Sequence, residues 1–275
     1  MNVALVFNRS HPAACEAARR VEAHLSARGA ATHLIDSKVD EKPDLAPDLI
    51  ISLGGDGTIL RAFHLFEHNL SPLLGINFGK RGFLSGASSG DLLDAVDAAL
   101  EDDVHKETRT LLDLNVFVSD STTPHHTHAL NDVVLARRHN ARVIATALAI
   151  NGHDIYTLRG DGLIVATATG STAYALSAGG PVVSPGYDGM VIVPLASHTL
   201  VQRALVTAPD DTVTVTFPEH KGGDIAVSVD GHELKSGIGD ITSIEITPSI
   251  RTLELIKLNS HLFYDTVAQQ FFAGH

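Results

Sequence analysis

The chain has 275 residues, 44% of them hydrophobic and 19% charged, which is apolar material enough for one large domain or two ordinary ones. Its formal net charge is −12, from 32 acidic against 20 basic side chains, and no basic stripe stands out, so a surface that grips a nucleic-acid backbone is not expected. A lone cysteine, Cys15, excludes an intramolecular disulfide framework, and no stretch approaches the roughly 20 apolar residues that span a bilayer, so a soluble protein of a reducing cytoplasm is expected.

Residues 3–7 form a short continuous apolar run, read as a buried strand rather than a signal peptide because no cationic lead precedes it. Ser10 and Pro12 offer an N-cap and a first-turn proline, and Ala14, Ala17, Val21 and Leu25 follow at helical spacing, with Gly29 closing the helix. Leu49–Leu53 is a second buried-type strand that runs straight into Gly54-Gly55-Asp56-Gly57-Thr58. Leu60, Phe63 and Phe66 then fall near one face of a helix, residues 72–77 give a third strand, and Leu92–Leu100 another helix. Strands alternating with helices imply a parallel α/β layer over residues 1–110.

Beyond that the texture changes. Residues 112–118 and 212–217 alternate, residues 225–232 read as a strand entering a turn at Asp230-Gly231, and residues 243–246 and 253–256 read as further strands. A mostly β, sandwich-like domain over 111–259 is predicted. A final helix carrying Leu262, Phe263, Val267 and Phe271 is expected to pack back on the first domain, with 260–275 completing it. The fold class is therefore α/β plus β. Residues 119–128 read as a surface loop, and the histidines at 125, 126 and 128 lack a fourth ligand at metal-binding spacing.

Chemistry concentrates in two segments. A glycine-rich turn between a buried strand and a helix lets backbone approach a phosphate, with free N–H donors and a favourable dipole at the helix N-terminus. The unusual part is Asp56, which would repel phosphate unless it holds a metal or takes a proton from a hydroxyl; an ordinary Asp-Gly turn is the alternative. No Walker A sequence and no G-x-G-x-x-G follows a strand, so neither a P-loop nor the usual dinucleotide fingerprint is present. The second segment, from Arg159 through Asp161, Thr167, Thr169, Gly170, Ser171, Thr172, Ala173, Tyr174 and Ser177 to Pro185, is dense in glycine and small hydroxyl residues. Such residues admit a ligand closely, or pack a tight crossing of backbone.

Together the two segments resemble the paired signatures of the NAD kinase family. The family's GGDG turn matches Gly54 to Gly57, its Gly-Phe-Leu segment Gly82-Phe83-Leu84, its Asn-Glu/Asp motif Asn131-Asp132, and its glycine-rich stretch residues 160–180. A Pro-x-x-x-His-x-Leu-x-x-Arg pattern falls on Pro194, His198, Leu200 and Arg203, around a helix of the β domain. The GGDG turn is shared with lipid and sugar kinases; the stretch from Thr169 to Gly180 singles out NAD kinase. This chain departs from the family in having no tryptophan near its end and His232 where glutamine is frequent.

The resemblance implies a Rossmann-like N-terminal domain, a β-rich NAD-binding domain, and transfer of the ATP γ-phosphate to the adenosine-ribose 2′-hydroxyl of NAD. It makes Asp56 the catalytic base and Gly57 a phosphate donor contact. Asn131 and Asp132 would hold the adenosine end, and Asp161 would accept from the nicotinamide carboxamide. Thr172, Ala173, Tyr174 and Ser177 would line the adenine and ribose pocket beside Phe83, with Arg61, Arg142, Arg159, Ala196 and His232 as further contacts. A divalent metal, Mg²⁺ by analogy, would come with ATP, and a homo-oligomer, dimer or tetramer, is expected, with small-molecule nucleotides as partners and no membrane. Two rivals are a lipid or sugar kinase sharing the turn and a non-catalytic nucleotide-binding regulator. Donor range, ATP or polyphosphate, and NAD against NADH are left open.

Overall fold

A computed structural model of the chain describes all residues except 40, 80, 81, 139–142, 197–202, 219–224, 235–239, 259–261 and 273–275. It divides into two compact units, Met1–Arg109 with Thr252–His275, and Thr110–Arg251.

The first unit opens with β1 (Asn2–Phe7), α1 (Pro12–Ala27), β2 (Ala31–Asp36), β3 (Leu49–Leu53), α2 (Asp56–Phe66), β4 (Leu73–Asn77), β5 (Ala87–Ser88) and α3 (Leu92–Leu100). Strands β4, β3, β1 and β2 lie side by side in that order, all parallel. The three inner strands are buried along almost their whole length, which is why they read as unbroken apolar runs. Helix α1 begins at Pro12, where the missing N–H costs nothing, and buries Ala14, Ala17, Ala18, Val21 and Leu25. It ends where Gly29 turns left-handed at φ 74°, so that Gly29 and Ala30 donate to the carbonyls of Ser26 and Leu25. Two local expectations are corrected here. His11 rather than Ser10 occupies the N-cap, the Ser10 amide being taken by Asn8 Oδ1, and the buried face of α2 runs through Ile59, Phe63 and Phe66, leaving Leu60 half-buried.

The second unit is built from most of β6 (His105–Val118), whose residues through Arg109 belong to the first, β7 (His125–Ala129), β8 (Asp132–Arg137), β9 (Ile144–Ile150), β10 (His153–Gly160), β11 (Gly162–Ala166), α4 (Tyr174–Ser177), β12 (Val191–Leu195), β13 (Leu205–Val206), β14 (Val213–Thr216), β15 (Ile225–Val229), β16 (His232–Glu233) and most of β17 (Ile241–Lys257). One sheet runs β13-β12-β11-β8-β15-β16, antiparallel throughout; the other carries β10, β9, β14 and β17, with β6 and β7 attached. Leu114, Leu148, Val215 and Ile244 from the second sheet meet Leu135, Leu163 and Val227 from the first in one core. β11 is buried on both faces, because Ile164 and Ala166 pack under α4 with Ala175 and Val193.

The histidine-rich segment is not a plain loop. His125–Ala129 forms β7, paired antiparallel to β6 with Asp113 opposite His128, and His128 Nδ1 lies 2.6 Å from Asp113 Oδ1. The end of β17 also departs from the expected β-rich span, since Leu255 and Ile256 pair in parallel with Leu73 and Leu74, and residues from Thr252 onward belong to the first unit. There α5 (Leu262–Val267) and the turn after it pack back on that unit through Phe83, whose ring lies 5.9 Å from Phe263 and 6.0 Å from Phe271. Among the described residues, no helix is long and apolar enough to cross a membrane.

Candidate active site

In the first unit the chain leaves β1 toward β2 on one side and leaves β3 toward β4 on the other, so the crevice beyond the carboxyl ends of β1 and β3 is where the strand order reverses. Open parallel sheets bind ligands at that position. A cavity of about 290 Å³ occurs there, lined among others by Asn8, His11, Gly54, Gly55, Thr58 and Asn77. The N-termini of α1 and α2 both open onto it, His11 and Gly55 being their N-caps without a side-chain cap bond. A side chain on Gly54 would strike Thr58 Oγ1 at 2.3 Å, whereas Gly55 and Gly57 face open space. The turn therefore needs one glycine for packing and offers two bare stretches of backbone to a ligand.

Asp56 is the first residue of α2, and its carboxylate is held from the far side. Oδ2 accepts the Phe83 amide at 2.9 Å and Oδ1 the Leu84 amide at 3.3 Å. Gly82 lies against it so tightly that a Cβ there would be 2.1 Å from Oδ1. Burial pushes the carboxyl above the ordinary aspartate range, and the amides of Phe83, Leu84 and Ser85 with the Lys257 ammonium pull it partway back. A fixed carboxylate with raised proton affinity suits a general base.

The second unit presents another arrangement. Asp230, at φ 47° in the tight turn between β15 and β16, is buried, and its carboxylate accepts the amides of Leu130, Asn131 and Asp132 at 2.8, 2.7 and 2.9 Å. Thr167 Oγ1 donates to the Leu130 carbonyl and accepts the Gly170 amide, and a side chain on Gly170 would be 2.0 Å from the Asn131 carbonyl. Asn131, Asp132, the Asp230–His232 turn and the start of the 169–177 segment are thus brought together. Asn131 Oδ1 is buried with no hydrogen-bond partner, and the Asp132 carboxyl is pushed up to about 7 by burial and by the Asp230 charge.

Comparison with known proteins decides the family. Residues 35–107 match the ATP-NAD kinase N-terminal domain and residues 130–258 the ATP-NAD kinase C-terminal domain. The chain is 35% identical to the NAD kinase of Symbiobacterium thermophilum over 97% of both proteins. The chain belongs to the NAD kinase family. The NAD kinase of Marinobacter nauticus is 41% identical over 80% of this chain and 74% of its own. An NAD kinase structure from Archaeoglobus fulgidus in complex with ATP superimposes with a TM-score of 0.76 at 27% identity, covering 94% of each chain. Yeast NADH kinase complexed with NADH shares the fold, with a TM-score of 0.87 at 22% identity, over all of this chain and 88% of that one.

The remaining positions matched to NAD kinase motifs fall in varied settings. Thr172 and Ala173 are half-buried and Tyr174 and Ser177 exposed along the short α4 turn. Asp161 is ion-paired with Arg137, Nε to Oδ1 at 2.6 Å, and its amide donates to the Leu195 carbonyl beside Ala196, which stands at φ 43°. His232 Nδ1 lies 3.2 Å from the Asp230 carbonyl, and Arg159 is exposed on β10. Arg61 departs from a plain ligand contact: Nε donates to the Ser37 carbonyl at 2.9 Å and the guanidinium also bonds the Val39 carbonyl, so it ties the segment after β2 to α2. Arg142, His198 and Leu200 lie outside the described residues, as does the segment 197–202 where a helix is expected, and Pro194 lies in β12. Sequence reasoning passed over Asp230 and Lys257, which bond the backbone around Asn131-Asp132 and beside Asp56. A left-handed aspartate before glycine, and a lysine ending an apolar strand, were the signals available.

Proposed function

We infer that this chain is an NAD kinase, moving the γ-phosphate of ATP onto the 2′-hydroxyl of the adenosine ribose of NAD. The observation that carries the mechanism is the Asp56 carboxylate, fixed by two backbone amides at the start of α2. In this reading Asp56 accepts the ribose proton while the bare amides of the glycine turn meet donor phosphate at the two helix N-termini. Phosphoryl transfer needs little more from the protein than alignment and charge neutralisation, and a rigid carboxylate supplies the alignment. Asn131, with its buried unpartnered oxygen, and Asp132 take the adenosine end, and the 169–177 segment lines the pocket around it. Asp161 receives the nicotinamide carboxamide after loosening its pair with Arg137.

The divalent cation is assigned to the triphosphate, as part of the donor. A cytoplasmic setting and a homo-oligomeric state belong to the same reading and are checked by fractionation and by size-exclusion chromatography. The deciding experiment incubates the protein with NAD, ATP and Mg²⁺ and reads NADP with glucose-6-phosphate dehydrogenase. Asp56→Asn is expected to abolish NADP formation while leaving thermal unfolding nearly unchanged; near-normal turnover in that variant removes Asp56 from the base role.

A further inference from the structure

Beneath the Asp56 carboxylate lies a second charge that no motif accounts for. Lys257, the last residue of β17, is 1% exposed. Its ammonium donates to three consecutive carbonyls, those of Phe83, Leu84 and Ser85, at 3.2, 3.1 and 2.9 Å. The peptide group joining Phe83 to Leu84 is therefore held at both ends, its carbonyl by the ammonium and its N–H by Asp56. The next peptide repeats the pattern, since the Leu84 carbonyl receives Lys257 while the Ser85 amide also acts on Asp56. In such a chain each hydrogen bond polarises the next, and a buried site strengthens the effect. Gly86 seals the segment against β17, a Cβ there falling 1.9 Å from the Ile256 carbonyl.

We propose that Lys257 is a positioning residue of the reaction, acting on the Asp56 carboxylate through the two polarised peptide groups between Phe83 and Ser85. The inference rests on Asp56 being the base. An ammonium buried against three backbone carbonyls is a poor choice for packing alone, because desolvation opposes its charge. Here the charge is directed along two peptide dipoles toward one acidic side chain. Among the described residues, Lys257 and the buried Arg109 act on Asp56, and Glu107 counterbalances both, ion-paired with Arg109 and 4.0 Å from Lys257.

The test is single-turnover phosphorylation of NAD across pH in Lys257→Met and Glu107→Gln. Lys257→Met keeps an unbranched side chain one atom shorter and removes the charge. Its rate is expected to fall about 10²-fold, as for a misaligned catalytic group. KM for NAD and ATP should stay within about twofold of the parent, and the acidic limb of the rate profile should move to higher pH. Glu107→Gln frees the two cations from their counterion and should move that limb to lower pH. Parent-like rate and limb in a folded Lys257→Met protein overturn the proposal. Should Lys257→Met not fold, Glu107→Gln decides, and an unmoved limb there overturns it. Asp56→Asn run alongside separates the two readings: if it turns over normally, the base assignment itself has failed, whereas an inactive Asp56→Asn beside an unaffected Lys257→Met defeats only the relay.

Discussion

Gly82 touches the Asp56 carboxylate where no other residue could, because a Cβ at position 82 would lie 2.1 Å from Oδ1 and 2.4 Å from Oδ2. Contacts that short force either the carboxylate or the 82–84 backbone to move. Gly82→Ala is therefore expected to lower kcat about 10²-fold through misalignment of the base. The accompanying loss of stability should be modest, about 1–3 kcal/mol as for an overpacked site. Steady-state kinetics beside a thermal melt checks it, and an active Gly82→Ala enzyme would show that the carboxylate position is not critical.

Asp230 satisfies three backbone donors at once, and those donors belong to the Leu130–Asp132 turn assigned to the adenosine end of NAD. Asp230→Ala strands the amides and leaves alanine in a left-handed conformation, so unfolding free energy should drop by about 2–4 kcal/mol. Asp230→Asn retains one acceptor and tolerates φ 47°, and should lose only about 1 kcal/mol. Urea unfolding gives both values, and KM for NAD should rise in the same order. Equal stability of the alanine variant and the parent would contradict the capping role.

Asp132 sets a pH dependence of stability whose sign follows from its raised pKa. The folded protein holds the proton up to about pH 7, whereas an unfolded aspartate releases it near 3.8. Between those values the folded state binds more protons, so stability falls as pH rises through the window and levels off above it. Asp132→Asn should flatten this fall and be the more stable protein at pH 8. Denaturant titrations of both proteins at pH 4.5 and pH 8 show whether the two stabilities diverge with pH; parallel changes would mean that folding does not raise the proton affinity of this carboxyl.

How far the sequence discloses this arrangement depends on the range of each interaction. β1, β3, β4, α1 and α3 are legible because their burial is continuous or strictly periodic. Asp56 stands out because a carboxylate is an odd occupant of a phosphate-type turn. β2 is not legible, since as an outer strand it exposes three of its six residues and loses the apolar signature. The β9–β10 hairpin was also passed over, although its Asn151-Gly152 turn carries a local signal for one, both residues having positive φ. Asp230 and Lys257 are hidden for a different reason. Asp230 acts 100 positions away on Leu130, and Lys257 acts 172 positions away on Ser85, so neither neighbourhood in the chain announces its partner.

The return of β17 to the first unit has a consequence for biosynthesis. Its last residues pair with Leu73 and Leu74, and Lys257 bonds the 83–85 carbonyls, long after the opening strands have been translated. A nascent chain halted at residue 110 would carry the whole glycine turn and yet have neither the neighbour strand of β4 nor the cation under its aspartate. The ribosome must reach residue 257 before the segment that holds Asp56 gains this buried cation.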